Sequence, residues 1–236
     1  MSLGHGVGIV KDSIGLNVDF ANVKSISGVT LTDISSSRIP ITLTNPSANT
    51  MVITNGYAEF NPVDIGGTAT FYTISNNYFN TIKNEMSIET AMYVYGNFGS
   101  DSYVRGISPR TTETSSPLGF SIGSGGITAE ANTTNGWKTG YVASSSVAYN
   151  RWLYITQTTS IIDNAMKTYV NGSLLGTVSL AGETPNGGNG FLIGRGFFGG
   201  IRNYNGRVGF LRVYSKRLTA AEITQNFEAF RGRYGI

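Results

Sequence analysis

Apolar side chains along this chain recur at every second position in short runs, and Gly, Asn, Ser or Pro separates the runs throughout its length. That pattern belongs to antiparallel strands joined by turns, each strand showing one face to a core. It predicts strands over residues 16–20, 39–44, 51–53, 57–60, 68–72, 86–95, 103–107, 119–122, 126–131, 137–143, 152–160, 166–170, 173–178, 191–193 and 207–214. No helical period interrupts them, which argues against strand–helix–strand units and a parallel sheet. In Met86-Ser-Ile-Glu-Thr-Ala-Met-Tyr-Val-Tyr, residues Met86, Ile88, Met92 and Val94 share one face and are expected in the core. Ser87, Glu89, Ala91, Tyr93 and Tyr95 take the other face. Further on, Asn171-Gly172 separates two strand-like runs and predicts a type I′ hairpin, whose positive φ angles those two residues tolerate best.

Near the end the period changes. Thr219-Ala-Ala-Glu222 predicts a capping box, in which the Thr219 hydroxyl accepts from the Glu222 N–H and the Glu222 carboxylate accepts from the Thr219 N–H. Ile223, Phe227 and Phe230 follow at i, i+4 and i+7 and form one apolar stripe. A helix over 219–230 is marginal alone, so it must dock on the strands. Arg231 and Arg233 beyond it are expected to offset the negative end of the helix dipole and to be solvated. The Gly-rich stretch 182–206 reads as a long loop interrupted by one brief strand, the kind of region that carries contacts. Residues 1–8 read as a flexible N-terminal segment and residues 9–236 as one domain, a size that all-β units of roughly 200 to 250 residues reach.

Composition strengthens the all-β reading and removes several functions. Charged residues make up only 13 % of the chain, against about 25 % in an ordinary globular protein, while it carries 31 Gly, 13 Tyr and 12 Phe. Net charge is +3, but the 17 basic residues are scattered and form no stripe for nucleic acid. Without cysteine there is neither a disulfide framework nor a thiolate metal site. No apolar run approaches the roughly 18 residues of a membrane span. The first residues also lack the basic patch and apolar core of a secretory signal, so the expectation is a soluble protein made in a cytoplasm.

The order of features resembles the concanavalin A-like lectin and glucanase superfamily, specifically laminin G-like domains found in structural proteins of tailed phages. The likeness runs over about residues 9–236. It is carried by Gly8 to Asn22, Leu31-Thr-Asp-Ile-Ser35, Ile41-Thr-Leu-Thr-Asn45, Met86-Ser-Ile-Glu89, Asn150-Arg-Trp-Leu-Tyr-Ile-Thr156 and Tyr169-Val-Asn-Gly172. The closing segment from Asn205 to Phe227, a strand, a turn and a capped helix, is the most specific part. The tail Arg231-Gly-Arg-Tyr-Gly235 is similar to the termini of phage versions. The resemblance implies an all-β antiparallel jelly-roll sandwich of the concanavalin A-like type with one short C-terminal helix. One of its sheets would be concave, with ligands bound on that face or at its rim. Departures include Leu31 where relatives often have Trp, Phe60-Asn61-Pro62 where they have Phe-Asp-Gly, and Gly209 and Phe210 at positions often acidic. Without those carboxylates a calcium site is weakened. Residues 208–213 are then apolar on both faces apart from Arg212, as in a strand covered on both sides.

The superfamily's glucanases use two glutamates flanking an aspartate on one face of one strand, and retaining hydrolysis needs carboxylates about 5 to 5.5 Å apart. The corresponding face here offers Glu89, then Ala91 and Tyr93, and a single Glu cannot serve as both nucleophile and acid. Glu85 and Glu89 therefore read as solvated strand-edge carboxylates, and the chain as no enzyme. His5, the only histidine, supports no triad. Asp19, Asp33, Asp64, Asp101 and Asp163 are dispersed and read as turn or cap residues, so no cofactor is expected and calcium has no support in the sequence.

Two binding readings follow. Trp137 and Tyr141, sharing a strand face, with Arg105 on a neighbouring run, are candidates for a glycan platform, against a role in the core or an interface. Trp152 reads as core. Phe197 and Phe198, adjacent in a glycine loop, are candidates for assembly contacts, against tucking under the sandwich edge. Taken with the resemblance, the expectation is a non-enzymatic component on the exterior of a tailed-phage virion, as head decoration, neck or tail protein. Its partners would be other virion proteins and further copies of itself. Carbohydrate-binding adhesion to surface glycans is the alternative, and neither nucleic acid nor membrane is an expected partner.

Overall fold

The computed structural model describes residues 8–46, 50–54, 56–61, 69–95, 103–104, 106–108, 118–123, 126–143, 149–188, 190–197 and 201–236. Its strands are β1 (Ile14–Asp19), β2 (Ile26–Ser27), β3 (Thr30–Leu31), β4 (Ile41–Thr44), β5 (Met51–Thr54), β6 (Tyr57–Phe60), β7 (Phe71–Ser75), β8 (Glu85–Val94), β9 (Tyr103–Val104) and β10 (Ile107–Ser108). They continue as β11 (Gly119–Gly123), β12 (Gly126–Thr133), β13 (Gly136–Ala143), β14 (Trp152–Ser160), β15 (Ala165–Val170), β16 (Ser173–Ser179), β17 (Gly190–Ile193), β18 (Arg195–Phe197), β19 (Ile201–Asn203) and β20 (Gly206–Tyr214). Two helices, α1 (Tyr78–Thr81) and α2 (Ala220–Tyr234), complete the set among the described residues.

The larger sheet runs β16-β15-β14-β8-β20-β6-β5, with β1 also on β20. β6 and β1 share one side of β20, pairing with Gly206–Val208 and with Phe210–Tyr214 respectively. Two four-stranded sheets, β10-β17-β7-β4 and β13-β12-β11-β9, face it across a common core. The pairings are antiparallel, so the chain is the expected sandwich of antiparallel sheets. Met86, Ile88, Met92 and Val94 from β8 meet Tyr72, Ile74, Phe120, Ile122, Ile127, Phe191 and Ile193 in that core, as the alternation predicts.

The larger sheet is covered on its core face and, under α2, on part of its outer face. A register shift between Val208 and Phe210 leaves Gly209 as a bulge in β20. Val208, Leu211 and Val213 consequently enter the core, while Phe210 joins Ala91, Tyr154 and the α2 residues Phe227, Phe230 and Tyr234 on the opposite face. A second outer cluster unites Tyr169, Tyr214, Leu218 and Ile223. The capping box forms as expected, with reciprocal bonds between Thr219 and Glu222. Asn171 and Gly172 both take positive φ in a two-residue hairpin between Val170 and Ser173.

Three expectations are corrected. The helix continues to Tyr234 and closes on Gly235 in the left-handed conformation, so Arg231 and Arg233 lie in its last turn. Arg233 is exposed but is not a free charge: its Nη1 donates to both Asp19 oxygens, at 2.8 and 3.0 Å, and fastens α2 to the end of β1. The stretch 182–206 holds three short strands, β17 to β19, where one was expected. Residues 1–7, the bulk of the segment expected to be flexible, lie outside the described residues.

Candidate functional site

Four adjacent strands of the larger sheet place one residue each on a straight line. Trp152 of β14 stands opposite Tyr93 of β8, Tyr93 opposite Arg207 of β20, and Arg207 opposite Glu59 of β6. The period of two sends their neighbours Leu153, Met92, Val94, Val208, Ala58 and Phe60 into the core, so the row itself lies on the outer face. All four are half-buried. Tyr57 and Tyr95, two residues from Glu59 and Tyr93, flank the row on that face.

Each member is held by the others. The Trp152 ring centre lies 5.8 Å from Tyr93, 5.7 Å from Tyr57 and 4.6 Å from Tyr234 at the tip of α2. The Arg207 guanidinium sits 4.9, 5.0 and 5.5 Å from the ring centres of Tyr57, Tyr93 and Tyr95, within cation–π range of each. Its Nε donates to Glu59 at 3.3 Å, and the Tyr95 hydroxyl donates to the same carboxylate. Burial, then the Glu59 carboxylate, pushes the Tyr95 hydroxyl up to about 12. Burial works against the charge on Arg207, but Tyr95 and Glu59 outweigh it and hold its pKa above the ordinary value. The row thus sets half-buried rings beside a guanidinium and a carboxylate that hold each other in place. That is the equipment for a ligand with an apolar face and many hydroxyls.

Four residues before Tyr93, Glu89 begins a second line under α2. It pairs laterally with Thr156 on β14 and Arg212 on β20, and Arg212 pairs with Asn17 on β1. Glu89 has 0 % exposure. Its carboxylate accepts from Asn226 Nδ2 at 2.9 Å, Tyr214 Oη at 3.1 Å and Thr156 Oγ1 at 3.3 Å. Burial pushes its pKa up, against the lowering effect of Arg212 and of the Asn226 and Tyr214 hydrogen bonds. The expectation of a solvated strand-edge carboxylate is therefore wrong: β8 is central, and α2 roofs the position. Glu85 is also half-buried and accepts from Ser160 Oγ at 2.7 Å. The bonded partners of Glu89 include no carboxylate, and it works as the anchor for the polar side of α2.

The residues singled out from the sequence lie elsewhere. Trp137 and Tyr141 occupy β13, an edge strand of a smaller sheet, opposite Asn132 and Thr128. Trp137 is 36 % exposed. Arg105 and the side chain of Tyr141 lie outside the described residues, as do Phe198 and the side chain of Phe197, whose backbone belongs to β18. Trp152 is not core but half-buried on the outer face. Tyr57, Glu59, Tyr93, Tyr95 and Arg207 were missed, although alternation in residues 57–60 and 86–95 already sets four of them opposite the core side. Among the described residues no three acidic or histidine side chains converge on a metal position. Asp33 instead accepts from the backbone N–H groups of Asn17, Ser35 and Ile39, a turn role.

The model of a family described as the concanavalin A-like lectin/glucanases superfamily matches residues 66–224. No curated protein matches the chain. Among solved structures, the receptor binding domain of a botulinum neurotoxin C/D mosaic serotype superposes with a TM-score of 0.70 at 16 % identity, covering 93 % of this chain and 52 % of that one. The ligand binding domain of botulinum neurotoxin serotype D, in complex with N-acetylneuraminic acid, gives 0.68 at 16 % identity, covering 93 % and 51 %. The chain thus spans about half the length of these structures. At this identity the likeness speaks for the fold alone.

Proposed function

The chain belongs to the concanavalin A-like lectin/glucanase superfamily, and from that premise we propose that it is a non-enzymatic carbohydrate-binding module. Its glycan site is the outer-face row Trp152, Tyr93, Arg207 and Glu59. The observation that carries the reading is the register of these four residues across adjacent strands, with rings beside a paired cation and carboxylate. A structural neighbour is a ligand binding domain in complex with N-acetylneuraminic acid, which supports a sugar as the ligand class. Absence of catalysis is supported by Ala91 and Tyr93 following Glu89 on the outer face, with Glu89 itself sealed under α2. A glycan array with and without calcium tests the proposal. Saturable, calcium-independent binding is expected, lost in Trp152→Ala and in Arg207→Ala and retained in Trp137→Ala. Silence of the wild type across the array, or release of reducing ends from a bound glycan, would overturn it.

A second reading places this module on the exterior of a tailed-phage particle, with other virion proteins and copies of itself as partners. It is favoured by the resemblance of the tail from Arg231 to Gly235 to the termini of phage versions of the family, and it is compatible with glycan binding. Negative-stain images of particles labelled with an antibody to this chain test it: label at a fixed site on the head, neck or tail supports it, and purified particles without label sink it.

A further inference from the structure

The row is charge-balanced and longer than one sugar ring. We infer that its ligand is an internal stretch of an uncharged oligosaccharide lying across the strands, not a sialylated or otherwise acidic end group. This rests on the glycan-binding reading above and adds three things to it.

The first is span. Trp152, Tyr93, Arg207 and Glu59 occupy four neighbouring strands in register. Three inter-strand steps of roughly 4.8 Å make a line of about 14 Å, enough for several linked rings. Beyond Glu59 the line ends at Val52, directly opposite it on β5 and 61 % exposed, an apolar terminus that offers no charge to an end group.

The second is charge. Arg207 is the cation of the row, and Glu59 already accepts from its Nε. A ligand carboxylate drawn to the guanidinium would lie beside the Glu59 carboxylate, and like charges a few ångströms apart repel. The third is hydrogen-bond inventory. A guanidinium has five N–H donors and a carboxylate about four acceptor sites. Arg207 gives one donor to Glu59, and Glu59 accepts from Arg207 and Tyr95. The edges left over present a donor next to an acceptor, which suits neighbouring sugar hydroxyls that both accept and donate. A carboxylate or sulfate accepts only and would leave the Glu59 side unmet.

Calorimetric titration with cello-, laminari-, manno- and galacto-oligosaccharides of one to four units, together with lactose and sialyllactose, tests this. The expected result is at least a tenfold gain in affinity from one unit to three in one neutral series, little gain at the fourth, and sialyllactose no tighter than lactose. Glu59→Gln, with its fold verified by melting, is expected to bind the neutral trisaccharide several-fold more weakly. Sialyllactose binding tighter than lactose, or a monosaccharide binding as tightly as its trisaccharide, overturns the inference while leaving a glycan-binding module standing. Absence of any binding overturns both.

Discussion

At the scale of single residues, the decisive positions are those where a small or charged side chain is fixed by what covers the outer face. A Cβ added at Gly209 would overlap the Tyr234 hydroxyl. Because Tyr234 in turn packs on Trp152, Gly209→Ala is expected to lower the melting temperature and to weaken glycan binding together; an unchanged variant on both counts would contradict the packing. Glu89 makes a prediction about pH. Its pKa is raised in the folded chain by burial, so its contribution to stability is fully present below the ordinary glutamate value and is lost as pH rises through the raised one. Glu89→Gln is therefore expected to gain on the wild type in melting temperature as pH rises above the ordinary glutamate value, and a difference independent of pH would refute the assignment. Sequence parity did place Glu89, Tyr93 and Tyr95 on the face away from the core. What it could not say was that helix α2 hides the first and leaves the other two half open, because that depends on contacts such as Asn226 to Glu89, 137 residues apart.

At the scale of elements, strands with one clean alternating face were legible, and so was the helix start. β8, β14 and β20 fall within a residue or so of their expected bounds, because each has a period of two or a turn signal at its end. β18 and β19 were not legible, since Arg195–Phe197 and Ile201–Asn203 are three-residue strands in glycine-rich chain with no alternation to count. The end of α2 was placed too early because the apolar stripe was followed only to Phe230, whereas the helix runs on to Tyr234 and Gly235 supplies the left-handed cap. The other end has its expected cap, and Lys216 bridges Glu222 and Asp12 beside it. Thr219→Ala is expected to destabilise the domain by about 1 kcal/mol, read by chemical denaturation with an unchanged slope. No loss would mean that packing of Ile223 and Phe227 alone sets the helix start.

At the scale of the whole molecule, the sandwich has two faces that a ligand could reach, and each carries one of its two tryptophans. Trp137 stands on the smaller β13 sheet, where sequence reasoning looked for a sugar platform. Trp152 stands on the larger sheet, where register gathers rings, Arg207 and Glu59 into one row. That gathering is non-local: Glu59, Tyr93, Trp152 and Arg207 come from four separate strands, and no local pattern encodes which strands become neighbours. Helix α2 divides the outer face into a sealed half around Glu89 and an accessible half around Trp152, so family membership fixes the scaffold while the helix determines where on it a ligand finds room. The two indole N–H resonances tell the two faces apart in one experiment: a titration of nitrogen-15-labelled protein with the tightest-binding neutral oligosaccharide, followed by NMR. The account predicts a saturable shift of the Trp152 indole, with the Tyr57, Tyr93 and Arg207 amides, while the Trp137 indole stays in place; a saturable shift of Trp137 with Trp152 unmoved would contradict it.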